Sequence, residues 1–239
     1  MIFLTVPDDA VPIVASRLAA QGESIPATVS FVHASGALGL GALEPLRLRH
    51  AVGSFHPLRS FPEPGPPEAF RGIVIGVDAS SEPLRRVLNH LARDLGAKPK
   101  RVDDAQRAIY HAAAVFASNY VVALLAEAIR LLERSGWTEG EAVQGLIPLA
   151  EGAIANVRKR GPVAALTGPI RRGDAKTVTR HLGALAGERG GARRTDLYRM
   201  LGNVALEIAQ QAGLKPAAAE QTRRALTRKV AATRRRSRQ

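Results

Sequence analysis

The sequence of 239 residues contains no cysteine. This absence excludes disulfides, thiolate metal sites, iron–sulfur clusters and cysteine nucleophiles. Aromatic residues make up only 4% of the chain, which leaves little material for stacking on single-stranded nucleic acid. No uninterrupted apolar run reaches the ~18 residues of a membrane helix, and no basic segment precedes the apolar start, as it would in a signal peptide. These absences predict a cytoplasmic protein without a membrane partner.

The sequence also lacks the short motifs of several enzyme classes. It has no Gly-x-Ser-x-Gly or Walker sequence, and its six histidines show no metal-ligand spacing. The strand, Gly-x-Gly-x-x-Gly turn and helix of a dinucleotide-binding domain are absent as well, because Gly36, Gly39 and Gly41 have the wrong order. Because cysteine is absent and the histidines lack metal-ligand spacing, we expect no bound metal.

Positive charge is in excess, with a formal net charge of +13. Eight cationic residues lie in the last 17 positions, which leaves a net charge of +5 on residues 1–222. Two interpretations of this basic tail stay open, a solvated terminus and non-specific binding of nucleic acid or another polyanion. Because the tail holds little apolar material beyond Leu226 and Val230, we expect it to contribute little to a core.

Hydrophobic residues make up 46% of the chain, enough for a core. Apolar strand patterns alternate with helical patterns over residues 1–102, which predicts an α/β domain with a parallel sheet. Residues 103–134 contain no glycine or proline and predict one long helix. The sequence therefore predicts an α/β domain over residues 1–102 and an all-helical domain over residues 103–213. A basic C-terminal helix and tail are predicted over residues 214–239.

Five segments resemble a known family. They are, in chain order, Phe3–Ala10, His33–Gly39, Gly53–Leu58, Tyr110–Tyr120 and Leu166–Asp174. They resemble bacterial Rossmann-like oxidoreductases with a helical C-terminal domain of unassigned function, a family similar to prephenate dehydrogenase, pyrroline-5-carboxylate reductase and 6-phosphogluconate dehydrogenase. The resemblance implies a Rossmann-like sheet domain, a helical dimerisation domain of the 6-phosphogluconate dehydrogenase type, NADP or NAD as cofactor, and a homodimer that forms through the helical domain.

The sequence departs from this family at its start. Family members carry a further N-terminal stretch that holds the glycine fingerprint, and this sequence begins without it. Either the sequence lacks the beginning of the protein, or the protein has lost half of its cofactor site. The run at residues 2–6 is too apolar for an exposed sheet edge, which favours the first alternative.

The resemblance assigns the cofactor to residues that follow predicted strands. Ligands of open α/β sheets bind at the carboxyl ends of the strands, where both of the assigned turns are expected. By resemblance, the turn of Thr5, Val6 and Pro7 passes under the nicotinamide ribose, and Ser35 and Gly36 line the nicotinamide pocket. Pro7 is explained equally well as the first residue of a helix.

His56 is the predicted catalytic residue, and Ser35 is predicted to assist it. A histidine titrates near neutral pH and can move the proton that accompanies hydride transfer. In prephenate dehydrogenase a His-Pro at this place contacts the substrate hydroxyl and a serine from the preceding loop assists, which His56-Pro57 and Ser35 match. The chain continues Leu58-Arg59-Ser60 instead of that enzyme's small-residue turn, so we expect a different substrate. A structural histidine at a strand end is the alternative.

Substrate binding is assigned to four residues, namely His111, Ser118, Asn119 and Arg172. On a continuous helix Ser118 returns to within about 20° of His111, and Asn119 flanks it. Related dehydrogenases place substrate-binding polar groups on this helix, although polar groups of a core helix that bond nearby backbone would give the same pattern. Arg172 can bind a carboxylate or phosphate, and Asp174 is expected to cap the helix that follows it.

The sequence thus predicts an NAD(P)-dependent oxidoreductase that acts on a small anionic hydroxy, keto or imino acid. Two alternatives remain open. One is a non-catalytic dimeric protein whose dinucleotide site is lost, and the other is a polyanion binder that works through its arginine-rich tail.

Overall fold

The computed structural model describes residues 1–63, 65–188 and 190–228. The chain divides into two compact units, and the boundary lies between Glu127 and Ala128. The end of the predicted basic tail, residues 229–239, lies outside the described residues.

The first unit is built on a five-stranded sheet in the order β1-β2-β3-β4-β5. The strands are Ile2–Leu4, Phe31–His33, Val52–Pro57, Val74–Ala79 and Lys98–Arg101. The first three strands run parallel, as do β4 and β5, but β4 is antiparallel to β3. The predicted α/β class followed by an all-helical region is confirmed.

The expectation of a wholly parallel sheet is wrong at the β3–β4 pair. A parallel connection needs a crossover of a dozen or more residues, usually a helix. The connection from β3 to β4 contains several prolines and forms a single short 3-10 helix, Pro67–Phe70. Because proline-rich backbone cannot form a crossover helix, β4 returns directly alongside β3 in the opposite direction.

The described residues form nine α-helices. They are α1 Val11–Ala19, α2 Glu82–Asp94, α3 Asp104–Ala117, α4 Asn119–Glu133, α5 Glu139–Ala165, α6 Gly168–Arg171, α7 Ala175–Ala186, α8 Gly191–Gln211 and α9 Pro216–Thr227. Helix α5 is interrupted at Gly161, whose φ of 73° lies in the left-handed region. Helices α1 to α3 belong to the first unit, and α5 to α9 belong to the second.

Each face of the sheet carries its own apolar cluster. Phe31 packs with Val11 and Ala15 of α1, whereas its neighbour Val32 packs with Leu84 and Leu88 of α2. Successive side chains of a strand point to opposite faces, so β2 contributes to both clusters. This burial on two faces explains why the strands read as continuous apolar runs.

The single long helix predicted over residues 103–134 is wrong, because it is broken at Ser118. The backbone of Ser118 has φ −126° and ψ −75°, which separates α3 from α4. Its Oγ lies 2.7 Å from the carbonyl oxygen of Ala114. A serine that bonds the carbonyl four residues earlier competes with the regular helix and bends it.

Helices α3 and α4 together are long and apolar enough, by length and composition, to cross a membrane. The segment Asp104–Glu133 has a mean hydropathy of 1.7 in its most apolar window, and none of that window is buried. One such segment is weak support for a membrane span. The break at Ser118 leaves helices of 14 and 15 residues, each shorter than the ~20 residues that a membrane helix needs.

The second unit has a core between α7, α8 and α9. Leu182 of α7, Leu206 of α8 and Leu226 of α9 are at most 2% exposed and pack together. A Cβ at Gly202 of α8 would lie 2.6 Å from Leu226 Cδ2. The expectation that the C-terminal segment contributes little to a core is therefore wrong for α9, because the periodicity of this helix buries its few apolar residues on one face.

Candidate active site

His56 lies inside β3, near its end, and does not follow the strand as predicted. The antiparallel pairing with β4 extends the strand to Pro57 and places His56 opposite Gly76. The His56 ring borders the backbone after β2, since a Cβ at Gly36 would lie 2.6 Å from His56 Nε2 and 3.0 Å from His111 Cδ2. The structure thus brings together Gly36, His56 and His111, three of the predicted site residues.

The other ring nitrogen of His56 bonds a residue that the sequence analysis missed. His56 Nδ1 lies 2.8 Å from the Tyr110 hydroxyl oxygen, and the two rings meet edge to face with centroids 5.6 Å apart. Tyr110 belongs to α3 and precedes His111. The signal for it was present as a polar residue beside a predicted site residue, but its partner was set by the unpredicted β3–β4 register.

The surroundings of His56 favour its neutral form. Burial lowers the pKa of His56 below its ordinary value of 6.5, and the positive charges of His111 and Arg107 lower it further, against a smaller opposing effect of Asp8. Burial raises the pKa of the Tyr110 phenol above its usual 10.0. The pair therefore consists of two uncharged groups at neutral pH.

A cleft of about 870 Å³ lies beside this pair in the first unit. Four predicted site residues line it, namely His56, His111, Ser118 and Asn119, together with Tyr110 and Arg59. No aspartate or glutamate is among the described residues that line the cleft. Among the described lining residues only Arg59 is permanently charged, and its guanidinium suits an anionic ligand.

Arg59 is a second residue that the sequence analysis did not assign. Its Nη1 donates to the carbonyl oxygen of Ala69 at 2.9 Å, and its guanidinium carbon lies 5.9 Å from the centroid of the Phe61 ring. These two contacts hold an otherwise exposed side chain. Because an arginine carries five N–H donors, the bond to Ala69 leaves others available for a ligand.

The break between α3 and α4 forms the polar end of the cleft. Ser118 Oγ lies 2.8 Å from Asn119 Oδ1, in addition to its contact with the Ala114 carbonyl. Both side chains line the same cleft as His111, although the continuous helix on which their placement was predicted does not exist.

Ser35 uses its hydroxyl oxygen to form the turn after β2. Its Oγ accepts hydrogen bonds from the backbone N–H groups of Ala37 and Leu38, at 3.1 and 3.0 Å. The serine is 9% exposed. These bonds hold the backbone that carries Gly36 against His56, so the local role seen for Ser35 is that of a turn former.

The turn after β1 lies at the same edge of the sheet. Leu4 of β1 pairs with His33 of β2, so Thr5, Val6 and Pro7 follow their strand next to the turn that begins after His33. All three of these residues are exposed. The two turns assigned to the cofactor are therefore neighbours, as the parallel arrangement predicts.

A buried polar cluster fastens α3 to the sheet. Arg107 is 2% exposed, and its Nη2 donates to Ser54 Oγ at 2.8 Å and to the Val102 carbonyl at 3.0 Å. One turn earlier, both carboxylate oxygens of Asp104 accept from the backbone N–H of Leu40. These bonds fix the start of α3 and hence the position of the residues that follow on the helix.

His33 lies beside this cluster, opposite Ser54 in the sheet. Burial, with the charge of Arg107 as the second cause, lowers the pKa of His33 to about 4. Its Nε2 lies 3.3 Å from the Gly39 carbonyl oxygen, to which a neutral histidine can donate. His33 is therefore uncharged at neutral pH and is structural in this unit.

Arg172 lies in the second unit, exposed at the C-terminal end of α6. Asp174 caps α7 as predicted, because its side chain accepts from the backbone N–H of Thr177 at 3.0 Å. Arg172 is not among the residues of this chain that line the cleft, and its assignment to the substrate stays a prediction.

The exposed turn after β1 lies at the carboxyl ends of the strands, where ligands of open α/β sheets bind. The space left by the missing side chain of Gly36 is taken by the rings of His56 and His111. Within the described residues, no Gly-x-Gly-x-x-Gly turn joins a strand to an α-helix as a pyrophosphate site does. In residues 1–63, 65–188 and 190–228, no group of three or more His, Cys, Asp or Glu side chains could hold a metal ion.

A family model described as a domain of unknown function, DUF2520, matches residues 73–205. A comparison with curated proteins found no match.

Among solved structures, the chain is similar to protein TM1727 from Thermotoga maritima, with 28% identity and a TM-score of 0.72 over 87% of this chain and 78% of that chain. It is also similar to protein BF3122 from Bacteroides fragilis, provisionally described as an NADP oxidoreductase, with 25% identity and a TM-score of 0.68 over 86% of this chain and 74% of that chain.

Pyrroline carboxylate reductase from Plasmodium falciparum, solved with NADP bound, shares the fold at 12% identity and a TM-score of 0.51, over 94% of this chain and 77% of that chain. These neighbours confirm the predicted Rossmann-like oxidoreductase fold. The finer similarity to prephenate dehydrogenase and 6-phosphogluconate dehydrogenase stays a prediction.

Proposed function

The chain belongs to the DUF2520 family, and from this premise we propose that it is an NAD(P)-dependent oxidoreductase acting on a small anionic hydroxy, keto or imino acid. The observation that carries the proposal is the cleft that places His56 together with the Arg59 guanidinium and no carboxylate, beside the edge of the sheet. The fold shared with a reductase that binds NADP supports the cofactor class. We also propose that the protein is cytoplasmic.

Each group of the cleft has a distinct task in the proposed reaction. A bound nicotinamide would supply the hydride in reduction and accept it in oxidation. The turn of Thr5, Val6 and Pro7 and the backbone of Ser35 and Gly36 would hold its ring and ribose.

The substrate would lie in the cleft on the other side of the reacting atoms. Arg59 binds the substrate's carboxylate, and Asn119 with His111 orients its polar groups. His56 donates the proton to the substrate oxygen or nitrogen in reduction and removes it in oxidation. The assignment of Arg172 to the substrate, in which its loop reaches the cleft from the partner subunit of a dimer, stays a prediction.

The proposal is tested by following NADPH and NADH oxidation by the full protein with a set of small 2-keto and imino acids. With any substrate that is turned over, we expect Arg59→Gln to raise KM by about tenfold or more, because a charge-assisted hydrogen bond to the carboxylate is lost. The expected change in kcat is small, since Arg59 binds the part of the substrate that does not react.

Arg47→Gln is the matched control. Arg47 is also exposed, and its hydrogen bond to Glu44 lies outside the cleft, so the substitution should leave KM unchanged. Turnover of neutral analogues that lack the carboxylate, with KM values as low as those of the corresponding acids in wild type, would contradict the anionic substrate class.

We also propose that the protein is a homodimer that pairs through its helices. Several large apolar side chains of these helices are exposed, among them Ile109 and Phe116 of α3 and Val122 of α4, at 73%, 68% and 68%. Single exposed apolar residues are common on protein surfaces, whereas several together mark an interaction site. We expect light scattering to give twice the chain mass at micromolar concentration. A monomer under those conditions would contradict this assembly, and protein recovered only in detergent would point to a membrane as the occupant of this surface.

A further inference from the structure

We propose that Tyr110 is a positioning residue, which holds the His56 ring by its Nδ1 so that Nε2 is the nitrogen that exchanges the proton with substrate. The proposal rests on the catalytic role proposed above for His56. It gives a task to a residue to which the sequence analysis assigned none.

The contact between Tyr110 and His56 fixes the imidazole in two ways. The hydroxyl oxygen lies 2.8 Å from Nδ1, within the range of a good hydrogen bond. The rings meet at an interplanar angle of 86°, an edge-to-face arrangement that aromatic pairs favour. The bond sets the rotation of the imidazole, and the ring contact limits its tilt.

Two glycines make room for this arrangement, one on each side of the imidazole. Gly76 stands opposite His56 on β4, and a Cβ there would lie 2.9 Å from the Tyr110 hydroxyl oxygen and 3.2 Å from its Cζ. A Cβ at Gly36 would lie 2.6 Å from His56 Nε2. The backbone of β4 and that of the turn after β2 therefore leave room for an arrangement in which Nδ1 faces the tyrosine and Nε2 faces the turn.

A phenol suits this position because its hydroxyl oxygen can accept a hydrogen bond. It accepts from a protonated Nδ1 both in the imidazolium and in the neutral ring. Nδ1 therefore keeps its proton, and Nε2 is the nitrogen that gains or loses one. Burial keeps the pKa of Tyr110 above its usual value, so the hydroxyl retains its own proton.

Charged and titratable groups from neighbouring elements also act on His56. His111 of α3 has its ring centroid 6.5 Å from that of His56, and the charges of Arg107 and Asp8 act on the same imidazole. Removal of the tyrosine hydroxyl leaves all three in place. A change seen in Tyr110→Phe therefore reports the loss of one hydrogen bond.

The test observes His56 without substrate or cofactor, by long-range 1H–15N correlation spectra of the full protein over pH 4 to 9. In wild type we expect the two ring nitrogens of neutral His56 to differ strongly, as they do when one tautomer dominates. In Tyr110→Phe we expect them to approach the averaged values of a free imidazole. Unchanged His56 signals in Tyr110→Phe would overturn the proposal.

Tyr198→Phe is a matched control. Tyr198 makes the same kind of bond to a histidine elsewhere, with its hydroxyl 2.9 Å from His181 Nδ1. The substitution should change the signals of His181 and leave those of His56 as they are.

Gly76→Ala is a second variant, which keeps the hydroxyl but forces it away from His56. We expect it to change the His56 spectrum in the same direction as Tyr110→Phe, and a wild-type spectrum in folded Gly76→Ala protein would contradict the proposal.

Turnover separates this proposal from the proposed function. For a substrate that is turned over, Tyr110→Phe should lower kcat about tenfold and leave KM nearly unchanged, because the ring is less well aimed but the cleft is intact. Changed spectra with unchanged kcat would overturn the positioning role and leave the tautomer assignment standing. A fully active His56→Asn variant would instead overturn the catalytic role proposed for His56.

Discussion

The substitution His56→Asn is expected to lower kcat by ~10²–10⁴-fold, the usual effect of losing a general acid and base. Asparagine keeps a polar group of similar reach but cannot exchange a proton at neutral pH. Cofactor affinity should be preserved, because the predicted cofactor residues lie on the turns after β1 and β2. Steady-state kinetics with a dinucleotide titration measures both quantities.

In His56→Asn, the part of the pH–rate profile that the titration of His56 causes in wild type should also be lost. Reduction requires protonated His56, so the rate should fall as pH rises through the pKa of this histidine. Burial and the charges of His111 and Arg107 lower this pKa from 6.5, and the fall is therefore expected below pH 6.5. In the direction of oxidation the sign reverses, and the rate should rise through the same range.

His181→Asn provides the control for this experiment. His181 also bonds a tyrosine hydroxyl, but it lies on α7 in the second unit and should leave kcat and its pH profile unchanged. Wild-type turnover by His56→Asn would move the proton transfer to another group, and His111 would be the next residue to test.

The second large effect is expected at the C-terminus, where Leu226→Ala should destabilise the second unit by about 2–5 kcal/mol. Leu226 is 1% exposed and packs against α7 and α8, so its removal leaves a cavity. Urea unfolding monitored by circular dichroism measures the loss. Thr227→Ala, one position further along the same helix and exposed, should change the stability much less.

A pair of truncations extends this prediction to the basic tail. Removal of residues 229–239 should leave the fold intact and weaken salt-dependent binding to any polyanion, since it deletes five of the eight terminal cations. Removal of residues 222–239 should unfold the second unit, because it also deletes the buried part of α9. Tight DNA binding at ~0.2 M salt by the shorter deletion would place a nucleic-acid site in the folded body.

The class of fold could be predicted because the apolar periodicity of each element is local. Strand and helix patterns alternate up to residue 102, and the glycine- and proline-free stretch that follows is helical apart from its break. The antiparallel β4 and the break at Ser118 were missed for a common reason. In both places one local bond or connection decides between two structures that have the same hydrophobic pattern.

The site was predicted in part for the same physical reason. Residues at strand ends, such as Gly36, and residues on one helix face, such as His111 and Ser118, can be grouped by periodicity. Tyr110 reaches His56 because of the register between β3 and β4, and Arg59 lies at the cleft because of the path of the proline-rich β3–β4 connection. Neither the register nor the path of such a connection follows from the sequence around it, so both residues were missed.

The buried Arg107 lowers the stability of the first unit but holds α3, which carries residues of the candidate site, in place. Its Nε and Nη1 have no hydrogen-bond partner within the described part of the chain, although the Asp104 carboxylate lies 3.9 Å from Nε. Buried donors of a charged group that lack a hydrogen bond oppose folding. An apolar residue of similar length would relieve that penalty but would release α3 from Ser54. At this position the protein therefore gives up stability to keep a helix in register with a sheet.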